Sequence, residues 1–283
     1  MATTTLPQLK SLLNGDSVKT RFNEILGKKA PGFISSVISA VNGNTMLQTA
    51  DPQSILNSAV IAATLDLPIN SNLGLSAIVP YYDSKLRTTV AQFQLMYKGL
   101  IELCLRSGQF SSLIDEVVYE GQLVKKNKFT GEYIFDEDSK TSDKVIGYMA
   151  YFRLVNGFEK THYMTVGEVE AHAKKYSQSY KKGFGVWKDD FDTMARKTVL
   201  KLLLAKYAPK SIEMQRAITF DQATIKGDLT QQDTSVDEVE IEYVDNDTAT
   251  DRLREMAVEA VEQPESENVN GQGLFDDGSA KDS

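Results

Sequence analysis

The chain has 283 residues, 41% of them hydrophobic, a single cysteine and a formal net charge of −8 at pH 7. That length buries one sizeable core, or at most two, and the lone Cys104 excludes an internal disulfide framework and fits a reducing compartment. With no basic-then-apolar leader and no run of about 18 apolar residues, the sequence predicts a soluble cytoplasmic protein that does not span a membrane.

The first seventy or so residues are helical in pattern. Val18, Arg21, Phe22, Ile25 and Leu26 fit one amphipathic helix closed by Gly27. Pro31 opens the next, where Ile34, Val37, Ile38 and Val41 form the stripe and Gly43 the stop. Lys28 and Lys29 between them suit a solvated turn, a phosphate or a neighbouring subunit. Asp51-Pro52 reads as an N-cap with proline at the first helical position, and the run after it is small and apolar enough to pack on both sides until Pro68.

From Ser76 the pattern turns to strands. Residues 76–83 and 86–95 flank a turn and predict a hairpin with Lys85 and Arg87 near its tip. A helix follows over 96–108, with Leu100, Leu103 and Cys104 inward, Lys98 and Arg106 flanking, and Gly108 as its stop. More strands are expected within 110–164, and Asn156-Gly157 is the strongest short-range hairpin signal in the chain. Thr165 with Glu168 three residues on forms a capping box for another helix. Helices, then a mostly antiparallel sheet interrupted by a helix, then two more helices make an α+β protein rather than an alternating βαβ one.

Charge is divided by position. Residues 221–283 carry 18 acids against 4 bases, whereas residues 1–220 carry 27 bases against 21 acids. This predicts a mildly basic folded body over 1–221 and an acidic, mainly disordered tail over 222–283, with one short helix possible at 250–261. The tail suits a partner-recruiting arm or a segment that competes for the basic surface.

The body's charge peaks in residues 174–210, where ten Lys/Arg face three acids, Asp189, Asp190 and Asp192. Tyr176, Tyr180, Phe184, Trp187, Phe191 and Tyr207 interleave with the cations. Cations beside flat rings suit single-stranded nucleic acid, which offers phosphates on one edge and π-faces on the other; a solvated basic face over core aromatics explains the composition equally well. Residues 189–208 are helical in pattern, with Val199, Leu202, Leu203 and Tyr207 toward a core and Lys197 and Lys201 one turn apart on another strip beside Arg196. A largely buried helix with a lysine strip needs an anionic partner or a carboxylate. Residues 177–187, with Gly183 and Gly185, read as a mobile loop.

Several chemistries find no support. No GxxxxGK[ST] phosphate loop occurs, which argues against an ATP-driven motor. The two histidines, His162 and His172, lack a cysteine partner for zinc, and no GxSxG elbow supports a serine triad. The enzymatic alternative is a metal-dependent nuclease using Asp189, Asp190 and Asp192, but acids in a first helical turn have a sufficient role in offsetting the macrodipole. The acidic run Asp136, Glu137, Asp138 reads as solvated.

Certain segments resemble the RecT family of phage single-strand annealing proteins. These are Tyr97-Lys98-Gly99-Leu100-Ile101 with Arg106-Ser107-Gly108-Gln109, then Met194-Ala195-Arg196-Lys197-Thr198, then Pro209 followed by Ser211-Ile212-Glu213, Gln215, Arg216 and Ala217. Residues 65–80, with Pro68, Gly74 and Val79-Pro80, resemble an earlier motif, and the likeness covers about residues 10–220. The chain departs from the family at Met96, where glycine is frequent, and at Phe191, where tryptophan is. The resemblance implies an ATP-independent, non-enzymatic recombinase. Such a protein coats single-stranded DNA left by a partner exonuclease and anneals it to a complementary strand within rings or helical filaments, on a Rad52-type β-β-β-α core. It implies no cofactor, with Mg²⁺ reaching the protein only through DNA. Partners are single-stranded DNA, the annealed duplex intermediate, other copies of the chain (the helices within 17–42 being candidates for that contact) and, through the tail, a phage exonuclease or host single-strand-binding protein.

Sequence-neutral annealing needs phosphates gripped while base edges stay free. The residues expected to grip phosphate are Lys85, Arg87, Lys98, Arg106, Lys181, Lys182, Arg196, Lys197, Lys201 and Lys206. A family segment and a local argument coincide at Lys98 and Lys197. Gln94 and Tyr97 can hydrogen-bond or stack on DNA, with a core ring the alternative for Tyr97; Phe184 and Trp187 can stack under bases, with core or interface the alternative for the tryptophan. A nuclease and a strand-coating protein that does not anneal are the competing functions.

Overall fold

The computed structural model of the protein describes residues 6–70, 72–83, 86–127, 129–177, 180–181, 183, 186–209, 211–231 and 239–242. Four helices come first: α1 Leu6–Asn14, α2 Asp16–Leu26, α3 Ala30–Asn42 and α4 Pro52–Thr64. The expected signals set their ends. Gly27, at φ 54°, closes α2, and Asp51 caps α4 by accepting from the Ser54 amide at 2.7 Å. Ten consecutive residues of α4, Ser54 to Ala63, are buried. The helix packs between α1 and α2 on one side and the first hairpin on the other.

That hairpin joins β1 Ser76–Asp83 to β2 Thr88–Leu95 in antiparallel register, Ser76 opposite Leu95. It leads directly into α5 Tyr97–Arg106. Gly99 lies so close to the strand entry that a Cβ there would come within 2.0 Å of the Leu75 carbonyl oxygen, so only glycine lets α5 start at this place. Cys104, on the inner face of α5, is fully buried, and burial pushes its thiol up to about 12.

The second sheet has the order β3-β6-β7, all antiparallel: β3 Phe110–Tyr119, β6 Val145–Leu154 and β7 Glu159–Thr165. A separate hairpin, β4 Leu123–Asn127 with β5 Glu132–Phe135, is inserted between β3 and β6 and docks on β7. Gly157, at φ 87°, makes the turn from β6 to β7 that Asn156-Gly157 predicts. Thr165 and Glu168 form the reciprocal capping box at the head of α6 Val166–Tyr176.

A short α7, Val186–Asp189, precedes the 17-residue α8, Phe191–Tyr207, which crosses one face of the β3-β6-β7 sheet. Tyr148, Ala150 and Phe152 of β6 form the floor beneath it, and Ala195, Val199, Leu200, Leu203 and Leu204 of α8 are the buried counterparts.

The mixed helix and antiparallel-sheet class holds, with two differences. The helix over 189–208 is not the last element, because α9, Ile212–Phe220, follows it, capped by Ser211. The chain also stays packed past residue 221, where composition places the end of the folded body. Asp221, Ala223, Leu229 and Thr230 are buried, Asn57 of α4 bonds to Gly227 and Leu229, and β8 Thr224–Lys226 pairs with β9 Glu240–Glu242. Composition misses this because a short apolar set beside an acidic run averages to polar. The rest of the acidic tail, 243–283, including the helix considered at 250–261, lies outside the described residues. Among the described residues no helix is long and apolar enough to cross a membrane.

Candidate nucleic-acid interface

Helix α8 sorts its cations by where carboxylates wait beneath it. Arg196 turns onto β3: its Nε donates to Asp115 Oδ2 at 2.8 Å and its Nη2 to the Asp115 carbonyl at 2.8 Å. Asp115 is 6% exposed, and its other carboxylate oxygen accepts from the Tyr97 hydroxyl at the head of α5. Burial, followed by the Asp115 hydrogen bond, pushes the Tyr97 phenol well above its ordinary range, so it stays a neutral donor.

The next residue, Lys197, donates from Nζ to the Leu95 carbonyl at 2.9 Å, and one turn further on Lys201 pairs with Asp221. Asp221 is 6% exposed and also accepts from the Leu95 amide at 2.9 Å. Both backbone groups of Leu95, the residue that turns β2 into α5, are thus held by side chains from α8 and from the end of α9. Burial lowers the Lys197 pKa; Asp221 opposes that shift and Lys201 adds to it. The enclosed set holds two ammonium groups and one carboxylate, and leaving any member unpartnered is costly.

The YKG and ARKT segments therefore converge on buried Asp115, and Asp221, at the end of the helix that opens with S-I-E-x-Q-R-A, holds Lys201. Of the residues expected to grip phosphate, Arg196, Lys197 and Lys201 point inward to these partners rather than onto an open strip. Arg106 is also occupied: it bonds Glu102 at 3.0 Å and caps the end of α4 through the Leu65 and Asp66 carbonyls, each at 2.9 Å. Tyr97 is tied to Asp115. Trp187 is 8% exposed, packed between Tyr180 (ring centroids 5.6 Å) and Phe191 (5.5 Å), so it presents no free face to a base. The stretch 177–187 is thus not wholly a loop, since α7 folds Trp187 into the core. Phe191 extends the ring chain to Tyr148 at 6.1 Å, the packing role of a core aromatic.

The outward cations are Arg87, Lys98, Lys181 and Lys206. Arg87 and Lys98 lie beyond opposite ends of β2, whose eight residues span about 26 Å. Arg87 sits at φ 53° in the hairpin turn, and the Lys98 stem passes 3.6 Å from where a Cβ on Gly74 would be. Gln94 is half-buried on β2. Lys85, Lys182 and Phe184 lie outside the described residues.

Of the three aspartates in the nuclease alternative, two serve the start of α8. Asp190 is its N-cap, accepting from the Thr193 amide at 3.1 Å and hydroxyl at 2.6 Å, and Asp192 accepts from the buried Tyr148 hydroxyl. Among the described residues no group of three His, Cys, Asp or Glu is arranged to hold a metal ion.

Sequence reasoning missed Asp115 and Asp221 as anchors. A signal for the first exists: Asp115 shares a strand face with Leu113 and Val117, opposite buried Phe152, Ala150 and Tyr148, and a charge on a core-facing strip requires a partner.

Fold and site define a mixed helix–antiparallel-sheet protein organised around one helix, whose bases are divided between buried carboxylates and the surface. The RecT family model matches residues 31–239, which takes in every segment of that network, and the chain belongs to the RecT family. It is 50% identical over 216 residues to the uncharacterized protein YqaK of Bacillus subtilis (strain 168), covering 76% of this chain and 72% of the relative. It is 29% identical over 222 residues to Protein RecT of Escherichia coli (strain K12), covering 75% and 79%.

Proposed function

We propose that the protein binds single-stranded DNA and anneals complementary strands in homologous recombination, without ATP and without a covalent catalytic site. The observation that carries this is the family match over residues 31–239, since RecT family membership implies single-strand annealing in recombination. The order β3-β6-β7 with α8 across it also supports kinship with the Rad52-type β-β-β-α core.

On this reading the inward cations act as frame. Asp115 and Asp221, with Arg196, Lys197 and Lys201, fix the angle between β2, α5 and α8. The outward cations Lys98, Arg87 and Lys181 grip phosphate and leave the bases free to pair. Other copies of the chain extend this surface into a filament or ring, because one subunit holds too few nucleotides for a stable register. The acidic segment beyond residue 242 recruits a nuclease or a single-strand-binding protein.

The test is to mix two complementary oligonucleotides with and without the protein, in the absence of any nucleoside triphosphate. The proposal expects pairing faster than the spontaneous rate, and strands recovered intact. Pairing at the spontaneous rate despite strand binding identifies a coating protein; Asp190-dependent strand loss in Mg²⁺ identifies a nuclease.

A further inference from the structure

Among the described residues, the cation at the far end of α8, Lys206, forms no salt bridge with a carboxylate. Lys206 lies ten residues beyond Arg196, about 15 Å along the helix, where α8 passes the edge of the sheet at β7. Lys160 of β7 and Lys126 of the inserted β4–β5 hairpin reach the same place. Lys160 and Lys206 each lie over the Tyr207 ring, at 5.3 and 5.2 Å from its centroid, and Lys126 lies 5.3 Å over Tyr163. The hairpin turn closes against this cluster so tightly that a Cβ on Gly131 would come within 2.8 Å of Lys160 Nζ. Among the described residues none of the three lysines forms a salt bridge, whereas the neighbouring Lys125 is matched by Glu132 at 3.0 Å.

His162 sits on the same strand face as Lys160, and its imidazole makes no hydrogen bond among the described residues. Its pKa is lowered, first by burial, then by Lys206 of α8; Lys126 of β4 also lowers it and Glu168 of α6 opposes. Three ammonium groups outside any salt bridge among the described residues, with the Glu168 carboxylate bearing on Lys126 and His162, stand with the Tyr207 ring in an arrangement that attracts phosphates and offers them a flat neighbour.

We infer that the β7 edge, through Lys126, Lys160, Lys206 and His162, is a second single-strand contact site, apart from the surface that carries Lys98 and Arg87. It takes the phosphodiester backbone of the strand being brought in for pairing. This rests on the annealing function proposed above. A strand held at this edge keeps its bases unpaired while neighbouring nucleotides meet the strand already bound. A peptide carboxylate would satisfy the charge but gain little from the rings, so a nucleic-acid strand is the better fit.

The test uses the full chain and oligo-dT, with lysine acetylation read by mass spectrometry. Lys126, Lys160 and Lys206 are expected to react freely in the protein alone and to be protected severalfold once the protein is saturated with strand. Unchanged reactivity on saturation overturns the proposal. So does protection already present without DNA, which would place the chain's own acidic segment on the site. This readout is independent of annealing, so a wild-type protein that fails to anneal leaves it decisive. Where annealing is observed, the triple variant K126A/K160A/K206A is expected to melt like wild type and bind a first strand within about threefold, yet pair strands roughly tenfold more slowly. Its salt slope for pairing should be shallower by about 2, as removing three ammonium groups from single-strand phosphates requires. Pairing at the wild-type rate also overturns the proposal.

Discussion

Two ends of one helix put the same residue type to opposite uses. Ahead of the last turn of α8, Arg196 and Lys201 reach buried aspartates and Lys197 a backbone carbonyl; at the last turn, Lys206 joins Lys126 and Lys160, none of which forms a salt bridge among the described residues. Neither the count of lysines nor their spacing distinguishes the two. The difference is set by what lies beside each cation: β3 brings Asp115 and the chain after α9 brings Asp221, whereas Lys206, with Lys160 of β7, lies over Tyr207 of α8 itself. A cation over a buried carboxylate is held within the fold, whereas Lys206, over a tyrosine face, is exposed.

The largest effect expected follows from the buried end. Asp221→Ala leaves Lys201, the Leu95 amide and the electrostatic balance of Lys197 unsatisfied, and should cost about 3–5 kcal/mol in urea unfolding. Alanine at Lys126 or Lys206 should cost no more than about 0.5 kcal/mol by the same measurement. Equal costs at both ends would erase the distinction.

A smaller effect concerns acid. Burial, then Lys175 and Lys201, lowers the His172 pKa to about 4. The folded state therefore keeps this ring neutral while the unfolded chain takes up a proton near pH 6.5. Stability should be full above that pH and decline as pH falls toward 4, by at most about 3 kcal/mol. Unfolding midpoints at pH 7 and 4.5 measure the decline. His172→Gln should flatten it; an unchanged slope would show that His172 titrates as in the unfolded chain. Smaller again is Tyr97→Phe, which removes one donor from Asp115 and should cost about 1–3 kcal/mol.

What was legible in the sequence is what neighbouring residues decide. Asp51-Pro52, the Thr165–Glu168 box and Asn156-Gly157 each satisfy or redirect the backbone within a few residues, and each stands where it was expected. Gly99 was visible only as part of a family segment; its reason, contact with Leu75, comes from a turn more than twenty residues earlier. The partners of Arg196 and Lys201 lie 81 and 20 residues away, and no periodicity encodes such pairings. The need for a carboxylate under the helix was inferable, but its identity was not. Lys126 joins the β7-edge cluster only because an inserted hairpin docks there, so Lys126 and Lys160 read as ordinary strand lysines until the fold is known.

The division between frame and grip is tested most directly by the salt dependence of oligo-dT affinity for Lys98→Ala and Lys197→Met, both confirmed folded. The account predicts that Lys98→Ala makes the log–log slope shallower by about 0.7 to 1, the signature of one ammonium group withdrawn from phosphate, while Lys197→Met leaves the slope unchanged. A shallower slope for Lys197→Met with none for Lys98→Ala would contradict it.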